Sequence, residues 1–267
     1  MTDEDPPDDR LRLDQPHSAR VWNFLLGGKD NYAADRQAGE AILRMFPDIA
    51  MLARLQRRFL VRAVGYLAAE AGIRQFLDVG TGLPTADNTH EVAQRIAPDS
   101  RIVYVDNDPL VLVHAQALLT SAPEGACDYL EADVRDPERI LQEAARTLDF
   151  DRPIALTMLG ILGQLPDSDD PHALVGRYLD ALPAGSYLAL ADGTDTNEAL
   201  NRAIAVYNAN STGSYHLRPP ERIAAYFDGL DVVEPGIVPI SEWHPEPVDV
   251  GEPPSGVDTV CGIGRTP

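Results

Sequence analysis

Three aspartates stand where three predicted β-strands run out. Asp78 lies in Phe76-Leu77-Asp78-Val79-Gly80-Thr81-Gly82, Asp106 in Val103-Tyr104-Val105-Asp106-Asn107, and Asp133 in Leu130-Glu131-Ala132-Asp133-Val134. The intervals between them, 28 and 27 residues, are nearly equal. One strand–helix–strand unit takes about 30 residues. Three successive units therefore line three carboxylates along one sheet edge, where open α/β sheets bind ligands. A ligand carrying an ammonium, a vicinal diol and an exocyclic amine would satisfy all three.

The glycine turn after Asp78 narrows the choice. A dinucleotide fingerprint needs G-x-G-x-x-G so that backbone and helix close on a pyrophosphate. Gly80 and Gly82 are present, but Thr85 holds the third position and Pro84 intrudes. A carboxylate at Asp78 would also repel a pyrophosphate, which disfavours a nicotinamide oxidoreductase. S-adenosylmethionine has no phosphate and carries an ammonium and a sulfonium. Asp78, Gly80, Thr81 and Gly82 are then placed near its methionine end, with the glycines allowing close approach. Asp106, with Asn107, takes the ribose hydroxyls. Asp133 and the amide of Val134 bracket the adenine, although Asp133 reads equally well as a solvated loop acid. Asp108-Pro109 and Asp136-Pro137 read as helix N-caps followed by a first-turn proline.

These segments resemble class I S-adenosylmethionine-dependent methyltransferases. More narrowly, the chain resembles an actinobacterial S-adenosyl methyltransferase family of unassigned substrate, formerly a domain of unknown function. The narrower likeness is carried by Ala19-Arg20-Val21, Leu25-Leu26-Gly27-Gly28-Lys29-Asp30-Asn31-Tyr32, Phe227-Asp228-Gly229-Leu230 and Glu234-Pro235-Gly236. It spans nearly the whole chain. It implies a Rossmann-like fold, S-adenosyl-L-methionine as cofactor and methyl transfer, without supplying an acceptor.

Lys29 is conspicuous as the only lysine beside 21 arginines. The donor's own carboxylate needs a cation, and a compact ammonium differs from a guanidinium. Lys29 and Tyr32 are therefore expected on the cofactor, in a glycine-hinged loop that closes over it. Asp30 would orient Lys29 or touch the acceptor. Tyr32, Tyr207 and Tyr215 could each wall an acceptor pocket or staple a loop, and the motif favours Tyr32.

The reaction needs a nucleophile held in line with the methyl group, and sometimes a base. That base is expected at the ends of the fourth and fifth strands or on the N-terminal helices. Related methyltransferases often carry histidine where Gly163-Gln164 stands here, so Gln164 is only a weak acceptor contact and no catalytic residue is assigned. No Asn/Asp-Pro-Pro-aromatic motif is present, which argues against a nucleobase amine as substrate. His17, His90, His114, His216 and His244 show no metal-ligand spacing, and no metal is expected. The preferred reading is a methyltransferase acting on a small molecule. The alternative is a non-catalytic module that binds S-adenosylmethionine or S-adenosylhomocysteine.

Composition bounds the partners. The net charge is −20. Such a field repels polyphosphate, so neither nucleic acid nor an anionic membrane is expected. Cys127 and Cys261 form no disulfide framework, and neither a spanning run nor a signal peptide is seen, so a cytoplasmic protein is expected.

The elements that position these residues are also legible. Residues 1–15 are acidic, proline-bearing and expected to be disordered. Residues 16–72 read as a helical cap: a helix capped by Ser18, a second near 33–45, and a third from Asp48 to the C-terminal Gly72. Arg54, Arg58 and Arg62 fall opposite its apolar stripe. Residues 73–267 form a Rossmann-like domain. Strands are expected near 75–79, 101–106, 127–133, 153–158 and 185–191, alternating with helices. By resemblance, an antiparallel pair near 229–234 and 257–263 completes a mostly parallel, doubly wound sheet of seven strands.

Overall fold

The computed structural model describes residues 12–118, 120–211, 213–245 and 258–267. Most of the acidic N-terminal tail and most of the proline-rich 245–255 segment lie outside them. Three helices come first: α1 (Ser18–Leu25), α2 (Ala33–Met45) and α3 (Ile49–Ala69). The cap of α1 is His17 rather than Ser18. The imidazole Nδ1 of His17 accepts from the amide of Ala19, and Ser18 is already helical. Asp35 opens α2 by accepting from the Tyr32 amide at 2.8 Å, a capping-box arrangement.

From Gln75 the chain alternates: β1 (Gln75–Val79), α4 (Thr89–Ile96), β2 (Arg101–Asp106), α5 (Pro109–Leu118), β3 (Ala126–Glu131), α6 (Pro137–Ala144), β4 (Ala155–Leu159), α7 (Pro171–Asp180) and β5 (Tyr187–Gly193). The five strands are parallel, in the order β3-β2-β1-β4-β5. Every residue of β1 is buried, as befits a central strand covered on both faces. Helices α8 (Glu198–Asn210) and α9 (Pro220–Ala224) follow, then β6 (Asp231–Val232), β7 (Val238–Pro239) and β8 (Thr259–Arg265).

Strand β8 lies antiparallel beside β5, and its outer edge carries β6 at one end and β7 at the other. The outermost position is thus split in two, and the sheet counts eight strands. A turn closed by the Gly236 amide on the Val233 carbonyl, with Gly236 at φ +99°, takes the chain out of the ladder between them.

The sheet is covered on both faces. Phe59, Leu67 and Val92 of α3 and α4 pack on Phe76, Ile102 and Tyr104. Ile140, Leu174 and Tyr178 of α6 and α7 pack on Leu77, Val103 and Leu156. Burying a side chain such as Phe59 contributes roughly 1.5–3 kcal/mol. A further cluster joins Val21, Ile42, Ala53, Leu200 and Tyr207 from α1, α2, the start of α3 and α8. One helix, α3, therefore serves both the sheet and the N-terminal layer. Strand order reverses between β1 and β4. That switch point is where doubly wound sheets bind ligands, beyond the carboxyl ends of the strands.

Candidate active site

A cavity of about 500 Å³ opens at this switch point, beneath α1, α3 and α8. Its volume falls within the roughly 300–1,000 Å³ of small-molecule clefts. The three strand-end aspartates, Asp78, Asp106 and Asp133, all line it. So do Gly80, Thr81, Gly82, Asn107, Val134 and Gln164.

Asp106 is held by backbone. One carboxylate oxygen accepts from the Gly82 amide at 2.8 Å, the other from the Asp108 amide at 2.9 Å. Each oxygen keeps a lone pair for a further donor. Burial pushes this carboxyl above its ordinary value, opposed by the two amides and by His17. The Asp108 carboxylate caps α5 through the Leu110 amide and pairs with Arg20 Nε at 3.2 Å; His17 Nδ1, 3.1 Å away, donates to it only when that nitrogen carries a proton and so gives up the Ala19 amide. The N-terminal helix is thereby anchored next to Asp106.

Asp78 is turned inward. It accepts from Thr89 Oγ1 at 2.6 Å and from Thr157 Oγ1 at 2.8 Å. Burial raises it, opposed by both hydroxyls and by Arg57. Asp133 is more exposed and forms a turn in which both the amide and the guanidinium of Arg135 donate to it. The Val134 carbonyl accepts from Tyr178 Oη at 2.9 Å. The two glycines act for different reasons. Gly80, at φ +77°, is crowded by Ile161, 2.7 Å from where a Cβ would stand. Gly82, at φ +68°, has nothing within 4 Å. Packing against Ile161 accounts for glycine at position 80.

The Gly27-Gly28 segment differs from the expected hinge. The Gly28 amide reaches the Asn23 carbonyl at 2.8 Å and the Gly27 amide the Phe24 carbonyl at 2.9 Å. With Gly27 at φ +81°, this is a Schellman helix end. Asn23 Oδ1 then accepts from the Asp30 amide at 3.1 Å and from Asn31 Nδ2 at 2.9 Å, closing the turn. Lys29 is exposed, and Lys29, Asp30 and Tyr32 do not line the cavity. Tyr32 packs with Leu83, Leu110 and Val111, beneath the Arg20 guanidinium. Asp30 faces His114 at 3.8 Å. Of the three tyrosines weighed, Tyr207 and Tyr215 reach the cavity instead.

Sequence reasoning also passed over Gln56 and Arg57, one turn from the arginine face of α3, which line the cavity beside Asp78. Arg57 donates to the Ala86 carbonyl and to Asn88 Oδ1. Among the described residues its Nη1 makes no hydrogen bond. A second omission lies at the end of β5. Asp192 accepts from the Gly163 amide at 2.8 Å and the Gly193 amide at 2.9 Å. Tyr215 Oη donates to it as well. Both side chains line the cavity. Buried Arg218 supports them: it donates to the Leu162 and Leu165 carbonyls at 2.8 and 2.6 Å, fixing the loop after β4.

The chain matches a family model described as S-adenosyl methyltransferase over residues 4–267. It is 43% identical to a DUF574 family protein of Streptomyces avermitilis, with a TM-score of 0.91, covering 96% of this chain and 100% of that one. It is also 43% identical to a protein of Thermobifida fusca provisionally described as a methyltransferase, with a TM-score of 0.87 over 97% of this chain and 98% of that one. An O-methyltransferase family protein of Burkholderia thailandensis shares the fold at 16% identity and a TM-score of 0.53, over 91% of this chain and 63% of that one. No curated protein matches the chain. The chain belongs to the S-adenosyl methyltransferase family, and S-adenosyl-L-methionine is its cofactor.

Proposed function

We propose that this methyltransferase holds its donor across the ends of β1, β2 and β3 and its acceptor, a small molecule, at the ends of β4 and β5. The observation that carries this reading is one cavity shared by both sets of strand ends. When bound, the cofactor supplies an activated methyl group on a sulfonium. Asp106, oriented by two amides, accepts from the ribose hydroxyls, with Asn107 beside it. Asp133 and Val134 flank the adenine. Gly80, Thr81 and Gly82 receive the methionine portion, and the field of Asp78 favours its ammonium. Arg57, with a donor to spare, takes the carboxylate that the sequence reading gave to Lys29. Walls from α1, α3 and α8 exclude water from the reacting centre. Residues 16–72 thus act as a cap over the Rossmann-like unit 73–267.

Calorimetric titration of Asp106→Ala tests the donor site. Loss of charge-assisted bonds to a diol should weaken binding by roughly 2–4 kcal/mol. That corresponds to about 30- to 700-fold. Unchanged affinity would remove the ribose from Asp106.

A further inference from the structure

The two ends of the cavity differ in chemistry. The guanidinium groups that line it, Arg57 and Arg135, belong to the donor end. The other end is walled by Trp22, Leu52, Leu200, Ile204, Tyr207 and Leu217. Into this apolar end face Asp192 and Tyr215. Asp192 is 4% exposed, and its two oxygens take three donors: the Gly163 amide, the Gly193 amide and Tyr215 Oη. The ring of Tyr215 lies flat against Gly163, where a Cβ would stand 2.3 Å from it. Its orientation is therefore fixed from both sides. Tyr215 gives its proton to Asp192 and its oxygen accepts a long bond from the Gly193 amide at 3.4 Å, which leaves one lone pair to accept from a ligand.

Resting on the donor reading above, we infer that the acceptor is an uncharged, apolar phenol, whose hydroxyl docks on Tyr215 and whose proton passes through Tyr215 to Asp192. The acceptor oxygen forms a bond to the methyl carbon as the carbon–sulfur bond breaks, its electron pair remaining on sulfur. The phenolic proton moves to Tyr215 Oη while the tyrosine proton moves to Asp192, which ends neutral. Three arguments select this class. Among the described residues, the apolar end offers no cation for an anionic acceptor. The rings of Trp22, Tyr207 and Tyr215 suit an arene. A phenol, with an ordinary pKa of about 10, yields its proton readily to such a relay, although burial pushes Tyr215 itself well above that value. An aliphatic hydroxyl, water-like at about 15.7, does not. Burial holds Asp192 above the ordinary carboxylate range, opposed by Tyr215, the Gly193 amide and Arg218. The charged or titratable groups facing it are Tyr215, Arg218 and, further off, Tyr226.

The test is a labelled-methyl assay of the full chain with S-adenosylmethionine, against neutral apolar phenols, their carboxylated analogues, aliphatic alcohols and primary amines. Neutral phenols should be methylated at least tenfold faster than the other classes. Tyr215→Phe, which keeps the ring against Gly163, should lower kcat by about 100-fold or more, the usual worth of a proton-transfer group. Donor affinity by calorimetry should stay within twofold. The same phenol should bind S-adenosylhomocysteine-loaded Tyr215→Phe several-fold more weakly than loaded wild type. The acid limb of the wild-type rate profile should be absent from Asp192→Asn. Preference for a charged class, or full turnover by Tyr215→Phe, overturns the inference. Donor binding without methylation of any phenol overturns the phenol alone; no donor binding overturns the donor reading beneath it.

Discussion

At the scale of residues, the strand-end acids were legible because each ends an apolar run at a regular interval. Asp106 shows what that position does: backbone amides aim it outward. Arg57, the cation proposed for the donor carboxylate, was not legible. Lys29 stands out by rarity, but rarity is a property of composition and says nothing of direction. Arg57 is one arginine among many, and only the packing of α3 on the sheet turns it to the cavity. The two assignments separate cleanly. Arg57→Ala should weaken S-adenosylmethionine about tenfold or more, since a charge-assisted bond is worth roughly 1.5–3 kcal/mol. It should leave 5′-methylthioadenosine, which lacks the carboxylate, nearly unchanged. Lys29→Ala should leave both ligands within twofold. Calorimetry with the two ligands decides between the residues, and a selective loss in Lys29→Ala would restore the loop to the cofactor. Tyr215 was legible as a candidate pocket wall, but its pairing with Asp192 was not, for a related reason. They are 23 residues apart with a helix between them, and nothing local in either segment signals that they meet.

Among the elements, alternating strand and helix patterns located β1 to β5 within about two residues. A short-period apolar run flanked by caps is strong evidence when both faces are buried. The edge of the sheet was harder. β6 and β7 have two residues each, too few for a periodicity, and their break depends on the Gly236 turn. The Gly27-Gly28 pair suggests a hinge because glycine is permissive. In the fold it is a fixed helix end, with a Cβ at Gly28 only 2.4 Å from the Asn23 amide group. Gly28→Ala should therefore displace Asn23 and forfeit its bonds to Asp30 and Asn31, costing roughly 1–3 kcal/mol. In a chain of this size that lowers Tm by several degrees. Calorimetric scanning would show it, and an unchanged Tm would return the segment to the status of a flexible hinge.

The whole molecule combines a surplus of negative charge with acids buried at its working edge. Burial raises Asp78, Asp106 and Asp192 above their unfolded values, so the folded chain retains protons that the unfolded chain releases. Their contribution to stability is complete below the unfolded carboxylate value, about 3.9. It is lost as pH rises through the raised folded values. Self-repulsion from the net charge of −20 acts in the same direction, but salt screens it and leaves the buried part. At high salt, wild-type Tm should still decline with pH across this window, and Asp78→Asn should flatten the decline. An equal loss of Tm at every pH would assign Asp78 to packing alone. The same edge is the centre of the account, because one cavity is asked to hold donor and acceptor together. The most direct measurement is a crystal structure of the chain with S-adenosylhomocysteine. The account predicts the ribose on Asp106, the adenine between Asp133 and Val134, the carboxylate on Arg57 and the sulfur facing the apolar end beside Tyr215. A nucleoside bound elsewhere, or its sulfur turned away from β4 and β5, would contradict it.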